Sequence, residues 1–188
     1  MKEIANSIAR AVEGAESMAG FNISKVICNL SGGRPITKIF RNKLKIENGR
    51  VEKNDILKII KFKNNYQIDD YQILSSSVIK YYLDNSASVD NPIGIFTDTL
   101  TTEMNITYGQ KSVIKNLSSA INLCHLSVEK FFINPEASGA STLLEDEKNN
   151  GAVIIDLGAN ITSVGVFLNN KIIFSDCIPI GGLHITSD

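Results

Sequence analysis

The pattern of apolar and polar positions in the first half of the chain predicts a small unit that mixes helices and strands. Apolar residues recur at helical spacing from Ile4 to Ala19, and Gly20 is placed to end a helix. The elements predicted in this half are a helix at 3–19, strands at 24–30 and 36–46, a helix at 53–62 and a strand at 73–83. Glycine turns at 31–34 and 47–50 follow two of the strands. This order indicates an α+β unit.

The second half alternates strands and helices more regularly, which favours α/β layering. Its predicted elements are a strand at 104–108, a helix at 112–123, a strand at 128–133, a helix at 135–146, and strands at 152–156, 162–168 and 171–178. The pair Asn169-Asn170 is predicted to form a two-residue hairpin turn between the last two strands. The Asp- and Asn-rich stretch 84–92 is predicted to be a linker, so we divide the chain into residues 1–88 and 89–188.

Composition and charge narrow the classes of partner. The chain has 43% hydrophobic and 21% charged residues, which is typical of a globular protein. Its formal net charge of -1 gives no field that would attract nucleic acid or an anionic membrane, so we predict no nucleic-acid partner. No stretch approaches the roughly 20 consecutive apolar residues of a spanning helix. The three cysteines, Cys28, Cys124 and Cys177, are far apart, and we expect reduced, buried thiols.

The strongest candidate for a functional site is a predicted hairpin whose first strand ends at Asp156-Leu157-Gly158. The apolar run from Val153 to Ile155 is typical of a strand covered on both faces. A carboxylate at its end could hold the hydration shell of Mg²⁺, which keeps several waters and binds through one or two carboxylates plus phosphates. Gly158 would let the backbone approach a phosphate, and Thr162 adds a hydroxyl. The alternative is an ordinary hairpin with a polar tip, since Asp, Gly and Asn are favoured in any turn.

The order of elements around this hairpin resembles a known motif. A strand, an acidic tip, two further strands and the paired glycines Gly181-Gly182 together resemble the second phosphate motif of the actin and Hsp70 superfamily. Short segments in the same order resemble the FtsA family of bacterial cell-division proteins over nearly the whole chain. They are Ala11 to Gly20, Asn29 to Gly32, Asn48 to Val51, Asn91 to Gly94, Asp146 to Lys148, Asp156 to Gly158 and Ile178 to Asp188.

This resemblance implies a fold and a division of the chain. The fold class is α/β, a partial actin-like (ribonuclease H-like) ATPase domain with an inserted small α+β subdomain. Residues 1–88 would contain the N-terminal helix and the FtsA-type insert, and residues 89–188 would contain part of the nucleotide-binding core with its phosphate hairpin. Because the family continues beyond Asp188 and before Met1, we expect a fragment or a gene model started at an internal methionine.

The resemblance also implies a function. Full-length relatives bind ATP with Mg²⁺, assemble with copies of themselves into actin-like filaments, link the FtsZ ring to the inner membrane at the division site, and recruit later division proteins. The location implied is the cytoplasmic face of that membrane. The insert from about Val12 to Leu83 would contact neighbouring subunits and later division proteins. The regions that contact FtsZ and the membrane, the latter a C-terminal amphipathic helix, would lie outside this chain.

Departures from the family pattern bear on nucleotide chemistry. The family motif D-x-G-G-G-T-T-D is replaced by Asp156-Leu157-Gly158-Ala159-Asn160-Ile161-Thr162-Ser163. Ala159 and Asn160 still offer backbone amides, and Asn tolerates a left-handed conformation, so we expect weakened phosphate binding. Related actin-like ATPases have an acidic or amide side chain at the position that matches Asn134. An amide could orient a water but could not take its proton, so we expect weak ATPase activity at most. The alternative is that Asn134 is a plain helix cap before Pro135.

Two rival functions remain open at this point. An actin-like ATPase or sugar kinase would perform phosphoryl transfer, but Asn134 and Ser163 stand where acids are expected. A scaffold of the pilus-assembly type would share the actin-like core. A basic strand, with Lys38, Arg41 and Lys43 among its residues, is either a contact face for an acidic partner or an exposed strand protected from pairing.

Overall fold

The computed structural model describes residues 2–84 and 87–187. Its helices and strands, in chain order, are α1 Lys2–Ala19, β1 Lys25–Leu30, β2 Ile36–Lys45, α2 Lys53–Lys61, β3 Tyr71–Leu83, β4 Ala87–Val89, β5 Thr99–Gln110, α3 Lys111–Asn122, β6 Ser127–Ile133, α4 Asn134–Thr142, α5 Glu145–Asn150, β7 Ala152–Leu157, β8 Thr162–Leu168, β9 Lys171–Ile178 and α6 Gly182–Thr186. A 3-10 turn, Phe62–Asn65, follows α2. The predictions that involve Met1, Asn85, Ser86 and Asp188 lie outside the described residues.

The strands form three sheets, and one of them crosses the predicted division of the chain. An antiparallel sheet has the order β2-β5-β3-β4, so that β5 pairs with β2 on one side and with β3 on the other. The division between residues 88 and 89 falls inside this sheet, and the predicted linker 84–92 contains β4. The reason is burial, because Leu100, Met104 and Ile106 of β5 are fully buried and complete the core of the first half. The inserted subdomain therefore extends to the end of β5.

The insert has its own hydrophobic core. Ile46, Val51, Ile59 and Leu100 form a buried cluster between the sheet and α2. Helix α2 contributes Ile59, which is fully buried, and it begins where the Asp55 carboxylate accepts a hydrogen bond of 3.0 Å from the Glu52 backbone N–H. Strand β2 is an edge strand of this sheet, in agreement with one of the two interpretations of its basic residues.

The insert lies within the chain connection between the two strands of a separate, two-stranded sheet. Strands β1 and β6 are parallel neighbours, from Lys25 opposite Ser127 to Leu30 opposite Ile133. The connection between them contains the whole insert and α3, and α3 contacts α1. The Cys124 thiol donates a hydrogen bond of 3.2 Å to the Ala5 carbonyl across this helix pair. The resulting α/β layer with an insert agrees with the predicted fold class.

The third sheet, β7-β8-β9, contains the candidate hairpin and is packed against α4. Two glycines allow the helix to lie directly on the sheet. A Cβ at Gly165 of β8 would lie 2.5 Å from Pro135 Cβ, and a Cβ at Gly139 of α4 would overlap the ring of Phe167. Tight contact of this kind defines the position of α4 relative to β8.

The helix predicted at 135–146 is two helices in the structure. Helix α4 ends at Thr142, Leu143 is extended with ψ 136°, and α5 begins at Glu145. The Glu147 carboxylate accepts a hydrogen bond of 2.8 Å from the Leu144 backbone N–H, which caps the second helix. The acidic run after Leu144 therefore starts a new helix instead of extending the first.

The prediction that the apolar run in β7 is covered on both faces is wrong for the part of the chain that the structure describes. Val153 is 60% exposed and Ile155 is 68% exposed, whereas Ile154 between them packs toward the core. Helix α4 covers one face of this sheet, and no described element covers the other. A continuous apolar run thus has the alternating burial of a strand covered on one side.

Several local predictions are confirmed. Asn169 and Asn170 have φ values of 51° and 59°, as a two-residue hairpin turn requires, and Gly20 ends α1 with φ 75°. The three cysteines are free thiols as expected, but each is partly buried and not fully buried. Partial burial raises the pKa of Cys28 and Cys177.

None of the helices in the described residues is long and apolar enough to cross a membrane.

The contact between α4 and β8 gives a prediction about stability. Gly139→Ala should lower the free energy of unfolding by about 1–3 kcal/mol, because the added methyl overpacks the Phe167 contact although alanine favours a helix. Gly14→Ala in α1 is the matched control, since nothing lies within 4 Å of a Cβ there. It should raise stability by roughly 0.5–1 kcal/mol. Urea unfolding followed by circular dichroism measures both, and shifts in the same direction would contradict the close packing.

Candidate functional site

The tip of the β7–β8 hairpin is a tight turn closed by its own backbone. The Gly158 N–H donates a hydrogen bond of 3.0 Å to the Ile161 carbonyl. A Cβ at Gly158 would lie 2.8 Å from that same carbonyl oxygen, so a larger residue would open the turn. Gly158 does not have a positive φ, and neither do Ala159 and Asn160. Glycine is therefore required at this position by space and not by a left-handed backbone.

The hairpin tip is docked onto the start of α6. The N–H groups of Gly182 and Leu183 donate hydrogen bonds of 2.9 Å to the carbonyls of Gly158 and Ala159. A Cβ at Gly181 would overlap the Gly158 carbonyl oxygen, so this approach of two backbones requires a glycine. The paired glycines that end the sheet thus fix the position of the tip.

This docking determines which way the amides of the tip point. The chain has no cis peptide bond in its described residues, and in a trans peptide the C=O and the following N–H point in opposite directions. Because the carbonyls of Gly158 and Ala159 point toward α6, the N–H groups of Ala159 and Asn160 point away from it. Neither N–H has a hydrogen-bond partner among the described residues, and both residues are exposed. The tip therefore presents two adjacent donors to one side, an arrangement suited to an anion.

The Thr162 hydroxyl is used within the hairpin. Its Oγ1 donates a hydrogen bond of 2.6 Å to the Ile180 carbonyl, beyond the end of β9. The hydroxyl proton is therefore directed at the backbone and away from any phosphate that the tip would bind. Thr162 ties the start of β8 to the segment before Gly181, which is a structural contribution that the sequence did not indicate.

Asp156 lies at the base of the tip and is held by a neighbouring helix. The Ser138 hydroxyl of α4 donates a hydrogen bond of 2.7 Å to Asp156 Oδ2 in a half-buried environment. The other carboxylate oxygen, Oδ1, has no hydrogen-bond partner among the described residues. Nowhere among the residues that the structure describes do three or more His, Cys, Asp or Glu side chains form a group suited to a metal. The donor set fits a magnesium ion held through its waters and does not fit a protein cage.

Asn134 lies on the same face of α4 as Ser138, the residue that is hydrogen-bonded to Asp156. It is the first residue of α4, one turn before Ser138, and residues four apart share a helix face. Its side-chain Oδ1 is buried and has no hydrogen-bond partner among the described residues. The residue at the cap position of α4 is Ile133, and the bond to its backbone N–H comes from Glu136 and not from Asn134, so the interpretation of Asn134 as a plain helix cap is not supported. A buried amide oxygen of this kind requires a water or ligand as its partner.

The N-terminal turn of α4 also contains a partly buried acid that sequence reasoning missed. The Glu136 carboxylate accepts hydrogen bonds of 3.1 Å from the Ser75 hydroxyl and 3.3 Å from the Ile133 N–H. Burial raises the pKa of Glu136, and these two donors together with Lys130 oppose the rise. The sequence offers one signal for a capping role of Glu136, because a glutamate three residues after the end of a strand often caps a helix. No local pattern indicates that Glu136 contacts Ser75 of the insert.

Comparison with known proteins agrees with the organisation described above. Residues 32–108 match a family described as the SHS2 domain inserted in FTSA, and this range corresponds to the insert sheet from β2 through most of β5. Three curated proteins named cell division protein FtsA are 33%, 33% and 24% identical to this chain in Rhizobium meliloti, Neisseria meningitidis and Escherichia coli. These alignments cover 95%, 97% and 100% of this chain and 40%, 44% and 45% of the relatives. The chain thus spans less than half of their length.

A solved structure shares the fold. The structure titled PilM-PilN type IV pilus biogenesis complex superimposes with a TM-score of 0.56 at 10% sequence identity, covering 96% of this chain and 50% of that chain. At this identity the similarity concerns the fold alone.

The burial of Glu136 gives a prediction about pH. A raised carboxyl pKa in the folded state means that folded molecules bind more protons than unfolded ones, so stability falls as pH rises from the ordinary pKa through the raised one. Glu136→Gln removes this dependence. The stability of the variant relative to the original should increase with pH across that window. Urea unfolding from pH 4 to pH 7 measures it, with Glu129→Gln on the exposed side of β6 as the control, and a difference that decreases with pH would contradict the prediction.

Proposed function

The chain belongs to the FtsA family of bacterial cell-division proteins, and from this premise we propose that its β7–β8 hairpin binds the phosphates of ATP. The observation that carries the proposal is the pair of N–H groups of Ala159 and Asn160. Both point away from α6, both are exposed, and they are adjacent in a turn whose carbonyls are already bonded. Phosphate oxygens are acceptors without protons at neutral pH and match such donors.

Asp156 would hold the magnesium ion that accompanies the nucleotide. Its Oδ2 is bonded to Ser138, and Oδ1 remains for a water of the hydrated ion. A bound magnesium ion would supply positive charge that offsets the charge of the phosphates. Gly158 keeps the turn closed, and Thr162 holds the start of β8, so these two residues support the site without contacting phosphate in this proposal.

Asn134 would orient a water near the phosphates. Its buried Oδ1 needs a hydrogen-bond donor, and a water supplies one. An amide side chain cannot accept the proton of an attacking water, since it is not basic. We therefore propose weak ATPase activity at most, with nucleotide acting mainly as a bound ligand.

At the cellular level we propose a role in the division ring. The relatives are cell division proteins, and a full-length protein with this segment would link FtsZ filaments to the inner membrane on its cytoplasmic face and form actin-like filaments with its own copies. In this proposal the contacts with FtsZ and the membrane belong to parts of the full-length protein that this chain does not span. The insert, which has an exposed basic edge at β2, would contact neighbouring subunits and later division proteins.

A pilus-assembly scaffold is the second candidate. The fold similarity to the PilM-PilN structure supports it, at 10% identity. Identity of 24–33% to division proteins over nearly the whole chain favours the first candidate.

The proposal predicts the effect of removing one carboxylate. In a full-length FtsA protein carrying these residues, Asp156→Ala should weaken the affinity for ATP in the presence of Mg²⁺ by about tenfold or more, as is typical for groups that orient metal ligands. Affinity without Mg²⁺ should change little. Isothermal titration with and without Mg²⁺ measures both values, and Asp146→Ala on α5 is the control for loss of an exposed acid. Unchanged Mg²⁺-ATP affinity in Asp156→Ala would show that the assigned role is wrong.

A further inference from the structure

We infer that Ser138 is a positioning residue for Asp156, which it holds so that one carboxylate oxygen faces the place of the magnesium ion. This inference rests on the proposed nucleotide site. It concerns a side chain that the phosphate motif does not include, since Ser138 precedes Asp156 by 18 residues and belongs to α4.

The contact is short and directional. The Ser138 hydroxyl and Asp156 Oδ2 are 2.7 Å apart, and a hydroxyl that donates to a carboxylate forms a charge-assisted bond stronger than a neutral one. An aspartate at the end of a strand can otherwise rotate about two side-chain bonds. Fixing Oδ2 restricts both rotations and leaves Oδ1 with a defined direction.

Ser138 can hold Asp156 because α4 itself is fixed against the sheet that contains Asp156. Gly139, the next residue, contacts the ring of Phe167, and Pro135 contacts the backbone of Gly165. Both contact partners lie on β8, the strand paired with β7, in which Asp156 is opposite Ser163. The donor and acceptor are therefore held by one packed helix and sheet, so their separation is not left to a flexible loop.

The opposite side of α4 is held as well. Successive residues of a helix are turned by about 100°, so Glu136 lies roughly 200° around the helix from Ser138. Glu136 accepts hydrogen bonds from Ser75 of β3 and from the Ile133 backbone. The first turns of α4 are thus bonded on one side to the insert and on the other to Asp156, which prevents rotation of the helix away from the carboxylate.

Nucleotide titrations with three serine variants of the full-length protein test the inference. Ser138→Ala should weaken the apparent affinity for Mg²⁺ in the presence of ATP by about tenfold, because Oδ1 is no longer directed. The affinity for ATP without Mg²⁺ should stay within about twofold. Ser138→Thr keeps the hydroxyl and should restore the affinity for Mg²⁺. Ser119→Ala, at an exposed position of α3, is the matched control and should have no effect.

The outcomes separate this inference from the function on which it rests. If Asp156→Ala and Ser138→Ala both leave Mg²⁺ affinity unchanged, the nucleotide site is wrong. If Asp156→Ala weakens Mg²⁺ binding and Ser138→Ala does not, the positioning role of Ser138 is overturned and the site remains. Equal losses with and without Mg²⁺ in Ser138→Ala would indicate a damaged fold, and would also overturn the role. Loss that Ser138→Thr restores supports it.

Discussion

The contact of α4 with β8 is the constraint on which the candidate site depends. Gly139 and Gly165 have no side chains at the two points where the helix and the strand meet, so Phe167 and Pro135 fill the space between the two backbones. The distance between the elements is then set by backbone and ring atoms, which do not compress. Asn134 and Ser138 lie on this helix, and Asp156 lies on the adjoining strand. Their mutual placement is a consequence of packing in the core.

The insert is also held in place relative to the hairpin sheet. Two neighbouring polar contacts bond β9 of the hairpin sheet to strands β5 and β2 of the insert. Asn105, which is 2% exposed, donates a hydrogen bond of 2.6 Å to the Ile172 carbonyl, and the Ser175 N–H donates one of 2.9 Å to Thr37 Oγ1. Directional bonds between buried groups resist sliding better than an apolar contact does. The insert is consequently held in a fixed orientation relative to the phosphate hairpin.

Local patterns predicted most elements, whereas pairing and docking required the folded chain. The Asn169-Asn170 turn and the end of α1 at Gly20 are encoded within a few residues, and both were predicted correctly. The position of β5 between β2 and β3 was not predicted. Ile36 pairs with Tyr108 across more than seventy residues, and no local pattern indicates this pairing. In the site, Asp156 and Gly158 belong to one short motif. Ser138 was missed because its partner lies 18 residues away.

The structure changes what the absence of two motif glycines at the hairpin tip implies for phosphate binding. A motif with three consecutive glycines suggests that the backbone needs left-handed conformations, and the substitutions Ala159 and Asn160 then predict weaker binding. In the structure neither residue has a positive φ, so these side chains impose no strain on the turn. The steric requirement for glycine is met elsewhere, at Gly158 inside the turn and at Gly181, where the backbone of α6 approaches the tip. The amides available to a phosphate depend on that approach, because it is the bonding of two carbonyls to α6 that directs the two N–H groups outward.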